Sequence, residues 1–149
     1  MKSSNAKQIV YTDGGSRGNP GQAALGVAFI DATGAVMKAY GEVLGVRTNN
    51  EAEYEAIIFA LKKAKQLFGK DKTKTMHIEV RMDSELAMRQ LNHQYKVENA
   101  NIAPLFLKVW NLMLDFESVS FVHVPREKNK DADRMVNETL DAVKQEKLL

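Results

Sequence analysis

The 149-residue sequence predicts an α/β fold, with a mixed five-stranded sheet (three antiparallel strands, then parallel ones) flanked by helices. Three observations predict it. Apolar segments with a period of two, separated by turn residues, fill the first third of the chain, as in an antiparallel meander. Two later strand segments, residues 77–83 and 119–124, alternate with helical patterns, and strands of that kind rejoin a sheet through right-handed helical crossovers. The size, with 44% hydrophobic and 27% charged residues, suits one domain around one core.

Residues 1–7 are polar and read as a flexible N-terminus, residues 8–143 as the domain, and residues 144–149 as a C-terminal tail. In the first strand Ile9, Tyr11 and Asp13 share one face, and Val10 and Thr12 the other. The strand is expected to end at Asp13 and break into a glycine-rich loop, Gly14 to Gly21. Residues 24–30 form a second strand, residues 31–34 a turn, and residues 35–46 a third strand. Thr48, Asn49 and Asn50 offer capping side chains for a helix over residues 51–67. Its apolar stripe is Ile57, Ala60, Leu61 and Ala64; Glu53 falls on that stripe, whereas Glu51 and Glu55 face water.

A lysine-rich loop (residues 69–75) leads to the fourth strand, which ends on Asp83, and residues 84–91 make a short helix. After a polar connection, residues 102–116 form a second long helix. Pro104 sits in its first turn, where a missing N–H costs little, and Trp110 is expected in the core. The last strand and a polar loop (residues 125–130) precede a closing helix over residues 131–143. Asp133 shares the inward stripe of that helix with Val136 and Leu140, while Asp131 complements the helix N-terminus.

The absence of cysteine excludes disulfides and thiolate metal sites. No apolar run approaches 18 residues and no apolar core follows the N-terminus, so neither a membrane span nor a secretion signal is expected; the expectation is a cytoplasmic monomer. A net charge of +2 permits a polyanionic partner without requiring one.

Asp13, Glu53, Asp83 and Asp133 stand at strand ends or on inward helix faces. Each also has a purely structural reading: a turn aspartate, a helix cap, or a helix phased wrongly by a residue. Taken together, anions converging on one region repel unless cations neutralise them. An oxygen-only donor set favours hard divalent cations over zinc.

Four blocks carry a resemblance: Tyr11-Thr12-Asp13-Gly14-Gly15 with Gly18-Asn19-Pro20-Gly21; Thr48-Asn49-Asn50-Glu51-Ala52-Glu53-Tyr54; Met82-Asp83-Ser84-Glu85-Leu86; and residues 125–133. In this order, over nearly the whole chain, they resemble type 1 ribonuclease H in the form without a basic protrusion. The resemblance implies a ribonuclease H-like fold and an endonuclease that cuts the RNA strand of RNA/DNA hybrids, leaving 5′-phosphate and 3′-hydroxyl ends. It implies two Mg²⁺ ions, with Mn²⁺ as a substitute, held by Asp13, Glu53, Asp83 and Asp133, Asp13 bridging both. It further implies hybrid contacts from Gly14, Gly15, Ser16, Arg17, Gly18, Asn19, Thr48, Asn49, Asn50 and Ser84. Backbone groups of the glycine loop are expected to approach 2′-hydroxyls, the groups that distinguish RNA from DNA.

Two features depart from the family pattern. Many members carry a histidine in the loop before the last acid; here His123 reads as a strand residue, leaving Arg126 or Glu127 as substitutes. The segment that elsewhere forms a basic, Trp-rich protrusion holds only Lys96 and no tryptophan, so hybrid binding is expected to be weaker or more salt-sensitive. Lys62, Lys63, Lys65, Lys70, Lys72 and Lys74 read as a solvated face. A strand-transfer nuclease or a sugar-kinase-like ATPase lacks support, since no flanking segments, second lobe or Walker motif is present. The remaining alternative is a catalytically weak module that binds RNA/DNA hybrid.

Overall fold

The computed structural model describes residues 6–148 and orders the sheet β3-β2-β1-β4-β5. β1 (Lys7–Gly18), β2 (Gly21–Ile30) and β3 (Val36–Arg47) form the antiparallel meander. β4 (His77–Met82) and β5 (Ser118–His123) add in parallel on the other side of β1. The helices are α1 (Asn49–Phe68), α2 (Lys70–Thr73), α3 (Glu85–Leu91), α4 (Ala103–Met113) and α5 (Lys130–Leu148). No described helix is long and apolar enough to cross a membrane.

Several expectations need correction. The glycine stretch is not a loop: Gly14 to Gly18 continue β1 and pair in register with β2, so that only Asn19 and Pro20 turn the chain, across a cis peptide bond. The lysine-rich segment contains one short helix, α2. Trp110 is 39% exposed rather than core, stacked on Phe106 and edge-on to His93. The closing helix runs through residues 144–148, and Lys7 belongs to β1, paired with Glu79 at 2.9 Å. Residues 1–5 of the expected flexible N-terminus lie outside the described residues.

The two faces of the sheet are packed differently. The main core lies on one face, where Val10, Val27 and Phe29 meet Tyr54, Ile57, Ile58 and Leu61 of α1, with Val109 of α4 behind them. On the other face the buried apolar cluster is small, Ala24 with Val136 and Leu140 of α5. Glycines explain how α5 nevertheless lies close. Asp13, Gly26 and Gly41 are registered partners across β1, β2 and β3, so their side-chain positions share a face. A Cβ on Gly26 would stand 2.1 Å from the Ala132 carbonyl oxygen, and one on Gly41 would stand 2.2 Å from Thr139 Oγ1. The glycines form a trough beside Asp13 in which α5 rests, bringing Asp133 to the same place. On the opposite face a Cβ on Gly14 would lie 2.2 Å from the Ala52 carbonyl, so α1 is seated by the same device.

Gly26→Ala should therefore cost about 1–3 kcal/mol or more through overpacking. Gly15→Ala, whose Cβ would sit 3.6 Å from Val136 Cγ1, should change stability by less than about 0.5 kcal/mol. Urea denaturation of the two variants checks the contrast; equal stabilities would contradict the trough.

Candidate active site

β1 outruns β4. Their pairing ends at Thr12 and Met82, so Asp13 and Asp83 emerge side by side where the two parallel strands part. From there the edge of β1 that faced β4 has no strand partner, and its backbone groups must be satisfied otherwise. Side chains do this. Asn129 Nδ2 donates to the Thr12 carbonyl at 2.9 Å, the Gly14 N–H donates to Glu53 Oε1 at 2.7 Å, and the Ser16 N–H donates to Asn49 Oδ1 at 3.0 Å. A strand edge thus recruits Glu53 from α1 and Asn129 from the segment before α5.

Glu51 has a separate task. With Thr48 it closes a capping box, accepting from the Thr48 N–H at 2.8 Å while Thr48 Oγ1 accepts from the Glu51 N–H at 3.1 Å. α1 therefore starts in a fixed phase, and Glu53 turns inward.

Carboxylate oxygens of Asp13, Glu53 and Asp83 lie within 4.8 Å of one another. Asp133 stands outside that trio but lines the same open cleft of about 530 Å³, together with Gly15, Ser16, Asn49, Ser84 and Arg126. Burial raises the Asp13 pKa to about 7, with the Asp83 charge adding to the rise. Burial likewise pushes Glu53 well above the usual carboxylate range, followed by its contact with Asp13. Asp83 is raised chiefly by burial, against the opposing pull of a hydrogen bond from Asn129 and the Arg126 charge. Three close acids with elevated proton affinity, offering only oxygen donors, fit a hard divalent cation, which would take the place of the protons.

The expected hybrid-contact residues fall into two groups. Gly15, Ser16, Arg17, Asn49 and Ser84 line the cleft. Gly14 also lines the cleft, buried beneath α1 with its N–H donated to Glu53. Asn19 Oδ1 accepts from the Asn49 N–H at 3.0 Å, locking the hairpin tip to α1, and Thr48 is spent on the cap. The Asn50 carboxamide oxygen is buried and has no donor among the described residues. Gly18, exposed at the turn, accepts a hydrogen bond from Ser16 Oγ. Ser84 caps α3, its Oγ accepting from the Ala87 N–H at 3.2 Å. Arg17 reaches across the cleft mouth to Asp141 on α5, at 2.7 Å.

Of the side chains weighed for the role of the loop histidine, Arg126 lines the cleft, whereas His123 ends β5 as an exposed strand residue, as expected. Glu127 sits in the 3₁₀ turn, exposed and outside the cleft lining. Sequence reasoning missed Asn129, which is fully buried although it follows an arginine, a glutamate and a lysine in a polar loop. The available signal was its position: an asparagine directly before a helix that carries an inward acid.

A family model described as Reverse transcriptase-like matches residues 11–139. The RNase H1 of Halobacterium salinarum NRC-1 is 37% identical, with a TM-score of 0.83 over 92% of this chain and 99% of that one. The chain belongs to the type 1 ribonuclease H family. LC11-RNase H1, solved in complex with RNA/DNA hybrid, is 43% identical with a TM-score of 0.86, covering 91% of this chain and 98% of that one. The N-terminal RNase H domain of Rv2228c from Mycobacterium tuberculosis is 33% identical, with a TM-score of 0.85 over 95% and 99% of the two chains. Among curated relatives, this ribonuclease H chain is 39% identical to the Ribonuclease HI of H. salinarum, matching 88% of its own length and 63% of that protein. It spans 37% of the bifunctional Rv2228c.

The raised acids make a prediction about the cation-free protein. A carboxyl whose pKa is higher in the folded state binds more protons there, so stability falls as pH rises between the unfolded and folded values. For Asp13 that window runs from 3.8 to about 7. In chelator, stability should drop by on the order of 2–4 kcal/mol across this range. Asp13→Asn should remove much of the slope. Denaturant titrations at pH 4.5 and 7.5 check it, and a flat profile for the parent protein would contradict the geometry.

Proposed function

We propose that residues 8–143 form a ribonuclease H domain that hydrolyses the RNA strand of RNA/DNA hybrids, leaving 5′-phosphate and 3′-hydroxyl ends. The observation that carries the reading is the trio Asp13, Glu53 and Asp83, with carboxylate oxygens within 4.8 Å of one another. In the proposed site Asp13, Glu53, Asp83 and Asp133 hold two Mg²⁺ ions, Mn²⁺ being able to replace them. Cations bound there supply activation of water and stabilisation of the leaving oxygen. We further assign the chain as a cytoplasmic monomer acting on hybrid and not at a membrane.

The protein's own residues prepare this chemistry. The Gly14 N–H holds Glu53 in place, and burial keeps Asp13 and Glu53 out of bulk water, whose high dielectric would weaken their electrostatic interactions. Asp13, rooted in the central strand between Glu53 and Asp83, would hold a cation together with either of them. Ser16, Asn49 and the tip residue Asn19 form one hydrogen-bonded cluster at the cleft, and their remaining polar groups suit ribose 2′-hydroxyls. Recognition in this reading comes from side chains on a rigid hairpin and a helix start, with Gly15 leaving room beside them. Arg126 is placed to meet the scissile or departing phosphate.

The test uses end-labelled RNA/DNA hybrid, double-stranded RNA, single-stranded RNA and duplex DNA, with Mg²⁺ or Mn²⁺. Cleavage of RNA in the hybrid alone is expected, and Asp13→Asn should reduce it by about 10³-fold or more, as for a member of an interdependent catalytic set. Tight hybrid binding without cleavage in either metal would replace this reading with a binding module. Hybrid affinity should also be weaker or more salt-sensitive than in a protrusion-bearing relative titrated alongside, because the segment that elsewhere adds basic and aromatic contacts holds only Lys96 and no tryptophan. Equal salt slopes and affinities would refute that part.

A further inference from the structure

The far end of the cleft is closed by an ion pair between two elements that run side by side. Alternation along β1 puts Asp13, Gly15 and Arg17 in one row, on the face that α5 covers. On α5, Asp133, Asn137 and Asp141 follow at intervals of four and form one stripe. The two rows match step by step. Asp13 and Asp133 both line the cleft, a Cβ on Gly15 would stand 3.6 Å from Val136 Cγ1, and Arg17 Nη2 donates to Asp141 Oδ1 at 2.7 Å. Four strand residues and eight helical residues span similar lengths, so the pair lies about 12–13 Å from the acids.

Arg17 lines the cleft and Asp141 does not, so the carboxylate draws the guanidinium toward the rim. The bond uses little of what an arginine offers. One N–H meets one oxygen, and Asp141 is the sole hydrogen-bond partner of the Arg17 side chain among the described residues. A guanidinium fork fits carboxylate and phosphate alike, and is strongest with two parallel bonds. The two side chains remain 42% and 67% exposed, and ion pairs so exposed are weak and readily exchanged. Arg17 and Arg126 are the cationic side chains of a lining that holds four carboxylates. A phosphate arriving at this end of the cleft thus meets a cation already neutralised, and must take it from Asp141.

We propose that Asp141 is an affinity-setting residue for the cleft: it holds Arg17 in place of a substrate phosphate and is displaced when a strand binds. The inference rests on the hybrid binding proposed above. Displacement frees the carboxylate, which takes up a counterion, so part of the ion release expected at an arginine–phosphate contact is cancelled. The pair thereby weakens the hold on nucleic acid without entering the chemical step.

A double-mutant cycle of Asp141→Asn and Arg17→Ala, with each variant folded by circular dichroism, tests it. In Mg²⁺, Asp141→Asn should improve KM for hybrid by about two- to fivefold, the worth of an exposed ion pair, with the gain in KM rather than kcat. The dependence of log KM on log salt should steepen by roughly 0.9, the equivalent of one phosphate contact. In the Arg17→Ala background, Asp141→Asn should change neither quantity. An equal gain in both backgrounds would mean that Asp141 merely repels the polyanion. No gain, or a loss, in the single variant would mean that Asp141 presents Arg17 to phosphate rather than withholding it. Either result overturns the proposal. Cleavage by the parent protein is scored separately. If the parent binds hybrid without cleaving it, the hydrolytic reading fails, and the same cycle is read from the anisotropy of labelled hybrid. A parent that does not bind hybrid overturns both.

Discussion

The site depends on one mismatch in length: β1 runs six residues beyond its last pairing with β4. A strand edge abandoned by its neighbour exposes backbone groups that must find partners. In this chain they find Asn129, Glu53 and Asn49, in order along the edge. The polar side chains that the proposed reaction would use and those that the backbone needs are thus partly the same. Glu53 shows it most directly, because the N–H that fixes its carboxylate is the one β4 leaves free. This is the familiar crevice beyond the carboxyl ends of strands where the order in a sheet reverses, with the central strand extended through it.

Bringing acids together works against the fold. Asp13, Glu53 and Asp83 all hold protons more tightly than ordinary carboxyls, because burial and mutual repulsion oppose their ionisation. Something must keep them close, and the packing on both faces of the sheet supplies it. α1 is pressed onto Gly14, and α5 onto Gly26 and Gly41, at distances that admit no Cβ. Backbone packed against backbone cannot relax by rotating a side chain. The small apolar cluster under α5 would be a weak anchor by itself, and the glycine trough supplies shape where buried area is scarce.

Much of this was legible in the amino-acid order. The alternation of residues 77–83 and the capping residues before α1 reported local geometry, and Glu53 stood out because an acid on an apolar stripe violates the period of its helix. What stayed hidden was non-local. Glycines at 14 to 18 read as a loop because local preference says so, yet pairing with β2 carries them as strand. Gly26 and Gly41 gave no sign that they face a helix more than ninety residues later. Trp110 suggested core by composition, and only the ends of α3 and α4 decide that one side of it stays wet. Asn129 looked like one polar residue among many, since its burial comes from β1 and β4 rather than from its neighbours in the chain.

The charge around the cleft adds a last constraint. Four carboxylates line it against two guanidinium groups, and one of these, Arg17, is paired with Asp141 outside the cleft lining. Of the two guanidinium groups, Arg126 is the one whose charge lowers the proton affinity of Asp83. A polyanion entering such a cleft is repelled until the acids are neutralised by protons or by cations. In the proposed reading, cation binding and hybrid binding must therefore be coupled, each raising the affinity for the other by the same factor. On that reading, the rigid clustering that makes the acids costly in isolation makes them selective in combination: the cleft would accept hybrid only with its cations in place.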